Sequence, residues 1–155
     1  MVKLDSIDRR ILEELQRDAA RPIEQIASLV GLTQNPCWRR IKRLEATGVI
    51  QRRVAIVDPV KLGLGLTVFV SIRTNQHTDV WLERFAAGVR GIPEVVELYR
   101  MSGETDYLLK VVARDVADYD RIYKQLIRVA ELYDVSSSFA MEQIKYTTEM
   151  PLGAV

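Results

Sequence analysis

The chain reads as an α+β protein in two parts, an all-helical N-terminal third followed by a βαββαβ unit, and three observations predict it. Apolar residues recur at helical spacing in three short windows before residue 47. From Leu66 onward, windows of strand-type alternation and of helical spacing succeed one another in the order β, α, β, β, α, β. Between the two parts DPVKLGLG, with Asp58, Pro59, Gly63 and Gly65, suits turns rather than continuous structure. The expected domains are therefore 1–57 and 66–155, joined by a linker at 58–65.

The first helix is expected to start at Asp5 or Ser6, with Asp8 favouring its positive end and Ile7, Ile11, Leu12 and Leu15 on its buried side. The stretch from Asp18 to Pro22 breaks it. Ile23, Ile26, Ala27 and Val30 carry a second helix, and Gly31 sits where the chain needs a left-handed backbone to turn. Thr33 can cap a third helix, Pro36 is tolerated in its first turn, and Cys37, Ile41 and Leu44 line one side. After Gly48, VIQRRVAIVD alternates through Ile50, Val54 and Ile56 as a strand. Three helices, a sharp turn and a strand make a winged helix-turn-helix.

In the second part LTVFVSIR, EVVELYRMS, DYLLKVVA and VSSSFAMEQI read as strands, and DVWLERFAAGVR and VADYDRIYKQLIRV as helices. Trp81, Phe85 and Val89 share one side of the first helix; Tyr119, Ile122, Tyr123, Leu126 and Val129 share one side of the second. Two such helices can cover one face of a four-stranded antiparallel sheet, a ferredoxin-like sandwich. The other sheet face keeps an apolar pattern, with Val68, Val70 and Ile72 alternating with Leu66 and Phe69, and an uncovered apolar face invites self-association.

With 155 residues, 48% of them hydrophobic and 28% charged, the chain can bury one or two small cores. No run of about 18 apolar residues occurs, and MVKLDSIDRR lacks the apolar core of a signal peptide, so a cytoplasmic protein without a membrane partner is expected. One cysteine and one histidine exclude an intramolecular disulfide and a four-ligand zinc site built from one chain. No metal, cofactor or catalytic residue is expected. His77, in the polar stretch TNQHTD, reads as an exposed loop histidine, because no nucleophile or second histidine accompanies it.

The net charge of +1 conceals unlike halves: up to Val57 eleven Lys and Arg face seven Asp and Glu, and beyond it eleven face fourteen. A basic N-terminal part suits phosphate neutralisation on double-stranded DNA. Gln34, Asn35, Trp38 and Arg39 project from the N-terminal part of the third helix, which enters the major groove in helix-turn-helix proteins. Arg40, Lys42 and Arg43 can reach phosphates, and Arg52 and Arg53 can do so from the wing. Asn and Gln suit adenine and Arg suits guanine, although Gln34, Asn35 and Arg39 equally suit capping or phosphate contact. A solvated basic face is the alternative for the helix, and a solvated basic pair for the wing. Cys37 shares the stripe of Ile41 and Leu44, which makes it a buried small hydrophobe rather than a thiol sensor.

Four blocks, LDSIDRRILEELQRD, GLTQNPCWRRIKRLEATGVI, SGETDYLLKVV and SSFAMEQIKYTTEMPL, resemble the Lrp/AsnC, or feast/famine, transcriptional regulators in order and spacing. PCWRR and SSFAMEQIKYTT are most similar to the branch containing regulators of cysteine detoxification. Gln34 and Asn35 stand where that family more usually has proline and threonine or serine, so a different DNA preference is expected. The resemblance implies a ligand-binding C-terminal domain, homodimers that assemble into tetramers or octamers, and control of amino-acid metabolism.

SGETDY on its own reads as an ordinary hairpin, yet its turn amides can hold an α-carboxylate and Asp106 can accept from an α-ammonium. The resemblance implies an effector pocket between dimers built from Met101, Gly103, Asp106 and Tyr107 with Ser137, Ser138, Phe139 and Ala140. The serines beside Phe139 suit a small or mildly polar side chain such as cysteine. The expected function is a sequence-specific transcriptional regulator modulated by a free amino acid; the alternative is an effector-independent architectural protein that wraps DNA.

Overall fold

Asp5 opens the first helix, α1 (Ser6–Arg17): its carboxylate accepts the Asp8 N–H while the Asp8 carboxylate accepts the Asp5 N–H, a reciprocal capping box. The second helix, α2 (Ile23–Val30), ends on Gly31 at φ +76°, and the Leu32 N–H returns to the Ala27 carbonyl at 2.8 Å. Only glycine adopts that backbone without strain. The Arg10 guanidinium donates to the Leu29 and Val30 carbonyls and closes the same helix end from outside. Thr33 then occupies the cap of α3 (Gln34–Ala46), but its hydroxyl makes no capping bond. A capping side chain accepts from the second or third helical N–H, and the third residue here is Pro36, which has none.

The computed structural model describes residues 2–154, which divide into two units. The first runs to Ile56 and resumes at Lys145; the second is Val57–Ile144. In the first unit the apolar stripes of α1, α2 and α3 meet, sealing Ile11, Ile26, Cys37, Ile41 and Leu44 from solvent. The expected wing strand does not form: residues 51–58 are irregular, with Val54, Ile56 and Val57 exposed. Alternation alone makes no strand, because the backbone groups need a neighbouring ladder, and this stretch has none within the described residues. The chain from Lys145, expected with the second domain, clusters instead with the helices. The Gln16 side chain makes both bonds to Met150, accepting its N–H at 2.6 Å and donating to its carbonyl at 3.2 Å, and Leu152 packs on the core.

The second unit follows the βαββαβ order: β1 (Leu66–Arg73), α4 (Asp79–Arg90), β2 (Val95–Arg100), β3 (Tyr107–Ala113), α5 (Val116–Leu126) and β4 (Asp134–Phe139). The antiparallel sheet runs β2-β3-β1-β4. Val68, Val70, Ile72, Leu109 and Val111 pack under Phe85 and Val89 of α4 and Ile122 and Leu126 of α5. Tyr107 tilts against Phe85 at 4.9 Å, and Phe85 stacks on Trp81 at 5.0 Å. The opposite face is less apolar than expected. Val68, Val70 and Ile72 all turn under the helices, which leaves Thr67, Phe69, Ser71, Leu108, Lys110 and Val112 on the other side. The last helix and strand also stop earlier than expected, at Leu126 and Phe139. Among the described residues no helix is long and apolar enough to cross a membrane.

Gly88 on α4 faces Val129 so closely that a Cβ would fall inside the contact distance of its Cγ1. Overpacking of this kind costs about 1–3 kcal/mol, against about 1 kcal/mol gained from helix propensity. Gly88→Ala is therefore expected to lower stability in denaturant unfolding. In a Val129→Ala background, where only the Cβ of residue 129 at 3.2 Å remains in the way, the same change is expected to cost less.

Candidate functional site

The stripe that α3 buries determines the stripe it presents. With Cys37, Ile41 and Leu44 inside, Gln34, Asn35, Trp38, Arg39 and Lys42 form one exposed band at i, i+1, i+4, i+5 and i+8. Trp38 is 47% exposed, an unusual position for a large apolar ring. Thr33, with its hydroxyl spare, stands at the tip of the same band. The band is polar at the N-terminal end of the helix and basic beyond it, the order in which a recognition helix meets base edges and then phosphates.

Four of the cations proposed for DNA, Arg40, Lys42, Arg43 and Arg53, are engaged within the protein. Arg40 donates to Asp5 at 2.6 Å and to Asp8 at 2.9 Å, and Arg43 donates to the other oxygen of Asp8. Lys42 pairs with Glu45 at 2.8 Å and Arg53 with the same carboxylate at 3.1 Å. Among the described residues, Arg39 and Arg52 have no acidic partner within 4.0 Å. Arg52 and Arg53 lie on irregular chain instead of a strand, so no wing geometry aims them. Cys37 is fully buried, and that burial pushes its thiol pKa up, which removes the electropositive, accessible setting a reactive thiol needs.

In the second unit Gly103, at φ +107°, bends the turn between β2 and β3, with Met101 exposed on it. The Asp106 carboxylate accepts the Thr74 N–H at 2.8 Å through one oxygen, while the Asp106 N–H donates to the Ile72 carbonyl at 3.0 Å. Tyr107 is a correction: its ring is 5% exposed within the aromatic cluster, so its side chain is core and unavailable to a ligand. Ser137 is another. Its hydroxyl bonds the Tyr119 hydroxyl on the helix side, where Phe139 also meets Tyr119 edge-on, while Ser138 lies on the opposite face beside Phe69. The period of two along a strand splits these neighbours.

The structure does not bring the two groups together within one chain. Tyr107 pairs with Ile72 at one end of β1, whereas Phe139 pairs with Val68 and the Ala140 N–H reaches the Thr67 carbonyl near the other. Four strand positions are roughly 13 Å, and β3 and β4 flank β1 on opposite sides, adding about 10 Å across the sheet. One free amino acid cannot bridge that separation.

An AsnC-type helix-turn-helix domain matches residues 4–45, and an Lrp/AsnC ligand binding domain matches residues 67–150. The chain belongs to the Lrp/AsnC family of transcriptional regulators. It is 50% identical over 150 residues to the DNA-binding transcriptional activator DecR of Escherichia coli, covering 96% of this chain and 99% of that one. It is similar to the crystal structure of an AsnC family transcriptional regulator from Agrobacterium tumefaciens, with a TM-score of 0.94 at 57% identity over 96% of this chain and 97% of that one. A transcriptional regulator of Neisseria meningitidis, solved as a complex with L-methionine, matches with a TM-score of 0.93 at 34% identity over 98% and 99%. Members of the Lrp/AsnC family are regulators rather than enzymes.

Asp5 and Asp8 of this Lrp/AsnC chain were expected only to start α1, and their pairing with the arginines of α3 was not expected, although one signal was present. Asp8 lies on the apolar stripe of Ile11, Leu12 and Leu15, and a carboxylate on a buried stripe requires a cationic partner. Its neighbour Asp5 is held down to about 2 from 3.8, first by the Arg40 hydrogen bond and then by the Asp8 N–H. The folded pKa lies below the unfolded one, so the contribution of the charged form is complete above about pH 4 and is lost as pH falls toward 2. Thermal unfolding from pH 7 to pH 2 is expected to show Asp5→Asn less stable than the parent at pH 7, with the difference closing between pH 4 and 2. A difference that persists unchanged at pH 2 would contradict it.

Proposed function

We propose that this protein binds duplex DNA sequence-specifically through the exposed band of α3 and that a free amino acid, bound between copies of the second unit, modulates that binding. The exposed band Gln34, Asn35, Trp38 and Arg39, on a helix whose Cys37, Ile41 and Leu44 are packed into the core, is the observation that carries the DNA reading. Gln34, Asn35 and Arg39 have the side chains that read base edges, and Thr33, Arg39, Lys42 and Arg52 the groups that meet phosphates. Arg39→Ala is expected to cost about 1–3 kcal/mol of affinity for a duplex selected in vitro from random sequence, with the size of the protein assembly unchanged in light scattering. Unchanged affinity together with an unchanged salt dependence would refute this docking.

The effector reading rests on family membership and on the separation of the two residue groups along β1. Met101, Gly103 and Asp106 from one copy and the exposed Phe139 with Ala140 from another supply turn amides and a carboxylate for the zwitterion and a lining for its side chain. The Neisseria relative solved with L-methionine supports an unbranched, apolar or mildly polar effector. Phe69, Leu108, Val112 and Tyr99 offer apolar area for dimer formation through the uncovered sheet face, with the Lys110–Glu97 pair beside them at 3.1 Å. Effector binding then favours one arrangement of dimers, and so one spacing of α3 helices, to the extent that its affinity differs between arrangements.

A thermal-shift series over the twenty amino acids is expected to give a ligand whose stabilisation grows with its concentration. Asp106→Asn keeps the bond to the Thr74 N–H and removes the charge. A charged hydrogen bond is worth roughly 1.5–3 kcal/mol, so calorimetry is expected to record an affinity about ten- to a hundredfold weaker. No shift with any amino acid would favour the architectural alternative, and equal affinity in Asp106→Asn would move the site elsewhere.

A further inference from the structure

The most heavily buried charge in the first unit belongs to Asp8, at 1% exposure on the inner stripe of α1. Both its oxygens are used: one accepts from Arg40, the other from Arg43 and, at 3.2 Å, from the Asp5 N–H. Asp5 completes the set by accepting from Arg40 with one oxygen and from the Asp8 N–H with the other. Two carboxylates from the start of α1 thus face two guanidiniums from the middle of α3, across more than thirty residues of sequence, and the four formal charges cancel. A carboxylate with this little solvent has exchanged hydration for these bonds, so releasing either arginine to another anion strands the charge.

We propose that Asp8 is a positioning residue for DNA recognition: with Asp5 it rivets Arg40 and Arg43 to α1, which sets the pose of α3 and withholds both charges from the phosphate backbone. Helix α3 then meets DNA through the band from Gln34 to Lys42, and the sequence-independent attraction of the unit is smaller than its twelve basic residues suggest. The device favours selectivity. Backbone neutralisation strengthens binding to every duplex alike, so two fewer phosphate contacts lower the non-specific background against which base contacts are read. This inference rests on the DNA reading given above.

Each phosphate neutralised contributes about −0.9 to the slope of log affinity against log salt on duplex DNA. The full-length protein is titrated by fluorescence anisotropy with an arbitrary 30-base-pair duplex at several salt concentrations. Asp8→Asn, which keeps shape but releases Arg43 and leaves Arg40 to Asp5 alone, is expected to bind this duplex more tightly at low salt, with a slope steeper by about one unit. Glu13→Gln, which removes an exposed charge from the same helix with no bond to α3, is expected to leave the slope as in the parent. Loss of a purely structural support would weaken binding and would not steepen the slope.

Asp5→Asn covers the case in which Asp8→Asn does not fold, since asparagine caps a helix as well as aspartate and Asp5 is half exposed. It removes one of the two carboxylates that hold Arg40 and leaves Asp8 on the other side, so it is expected to steepen the slope by a fraction of about 0.9. A folded Asp8→Asn, or failing that Asp5→Asn, with the slope of the parent or a shallower one overturns the inference and leaves the DNA reading standing. A parent protein that binds no duplex at low salt removes both.

Discussion

Three short helices share a core only a few side chains deep, and the packing of Ile11, Ile26, Ile41 and Leu44 against one another decides everything displayed on the first unit. Helix α3 has 13 residues and three buried positions, so the rest of its circumference must be exposed or paired. The buried stripe fixes its rotation. One flank then turns toward α1, where Asp5 and Asp8 wait, and the remaining flank becomes the open band of Gln34, Asn35, Trp38 and Arg39. Gly31 and the Arg10 bonds to the end of α2 hold the turn that makes this geometry reachable. Packing and display are one constraint seen from two sides.

Features with a local cause were legible in the sequence. The bounds of α1, α4 and β1 follow from helical or alternating periodicity over eight to twelve residues and from capping groups a few positions away. Asp5, Thr78 and Asp115 each accept a backbone N–H three residues on, within the window that determines them. The strand expected after Gly48 has the right alternation, but pairing is a property of two segments, and one pattern says nothing of the other. The same limit hid the rivet. Eleven basic residues in the first part count equally in a sequence, while Asp8 distinguishes Arg40 and Arg43 from Arg39 only once α1 and α3 are folded together.

The faces on which the candidate effector residues lie were only partly legible in the sequence. Resemblance groups Ser137, Ser138, Phe139 and Ala140 by sequence adjacency, whereas a strand separates adjacent side chains onto opposite faces. That alternation was available from the start, and applying it would have put Ser137 and Phe139 together under α5, as their contacts with Tyr119 do. Tyr107 is different: its membership of the cluster with Trp81 and Phe85 depends on a helix more than twenty residues away. Asp106, with one oxygen committed to the Thr74 N–H, is anchored more firmly than a hairpin residue need be, and an anchored carboxylate loses little entropy when it meets a cation.

In the proposed reading, the split of the effector groups along β1 also decides what kind of switch this protein is. A pocket complete within one chain would saturate with ligand whatever the assembly state. A pocket completed by two copies binds ligand only where two copies meet in the right arrangement, so effector and assembly stabilise each other by mass action. The coupling is reciprocal: DNA that selects the same arrangement tightens effector binding by the factor with which the effector tightens DNA binding. Weak non-specific attraction suits such a device, because an assembly that adhered to any duplex would gain little from being rearranged. The neutral rivet between α1 and α3 and the divided pocket on the sheet thus serve one end, leaving the choice of DNA site to base contacts and to geometry.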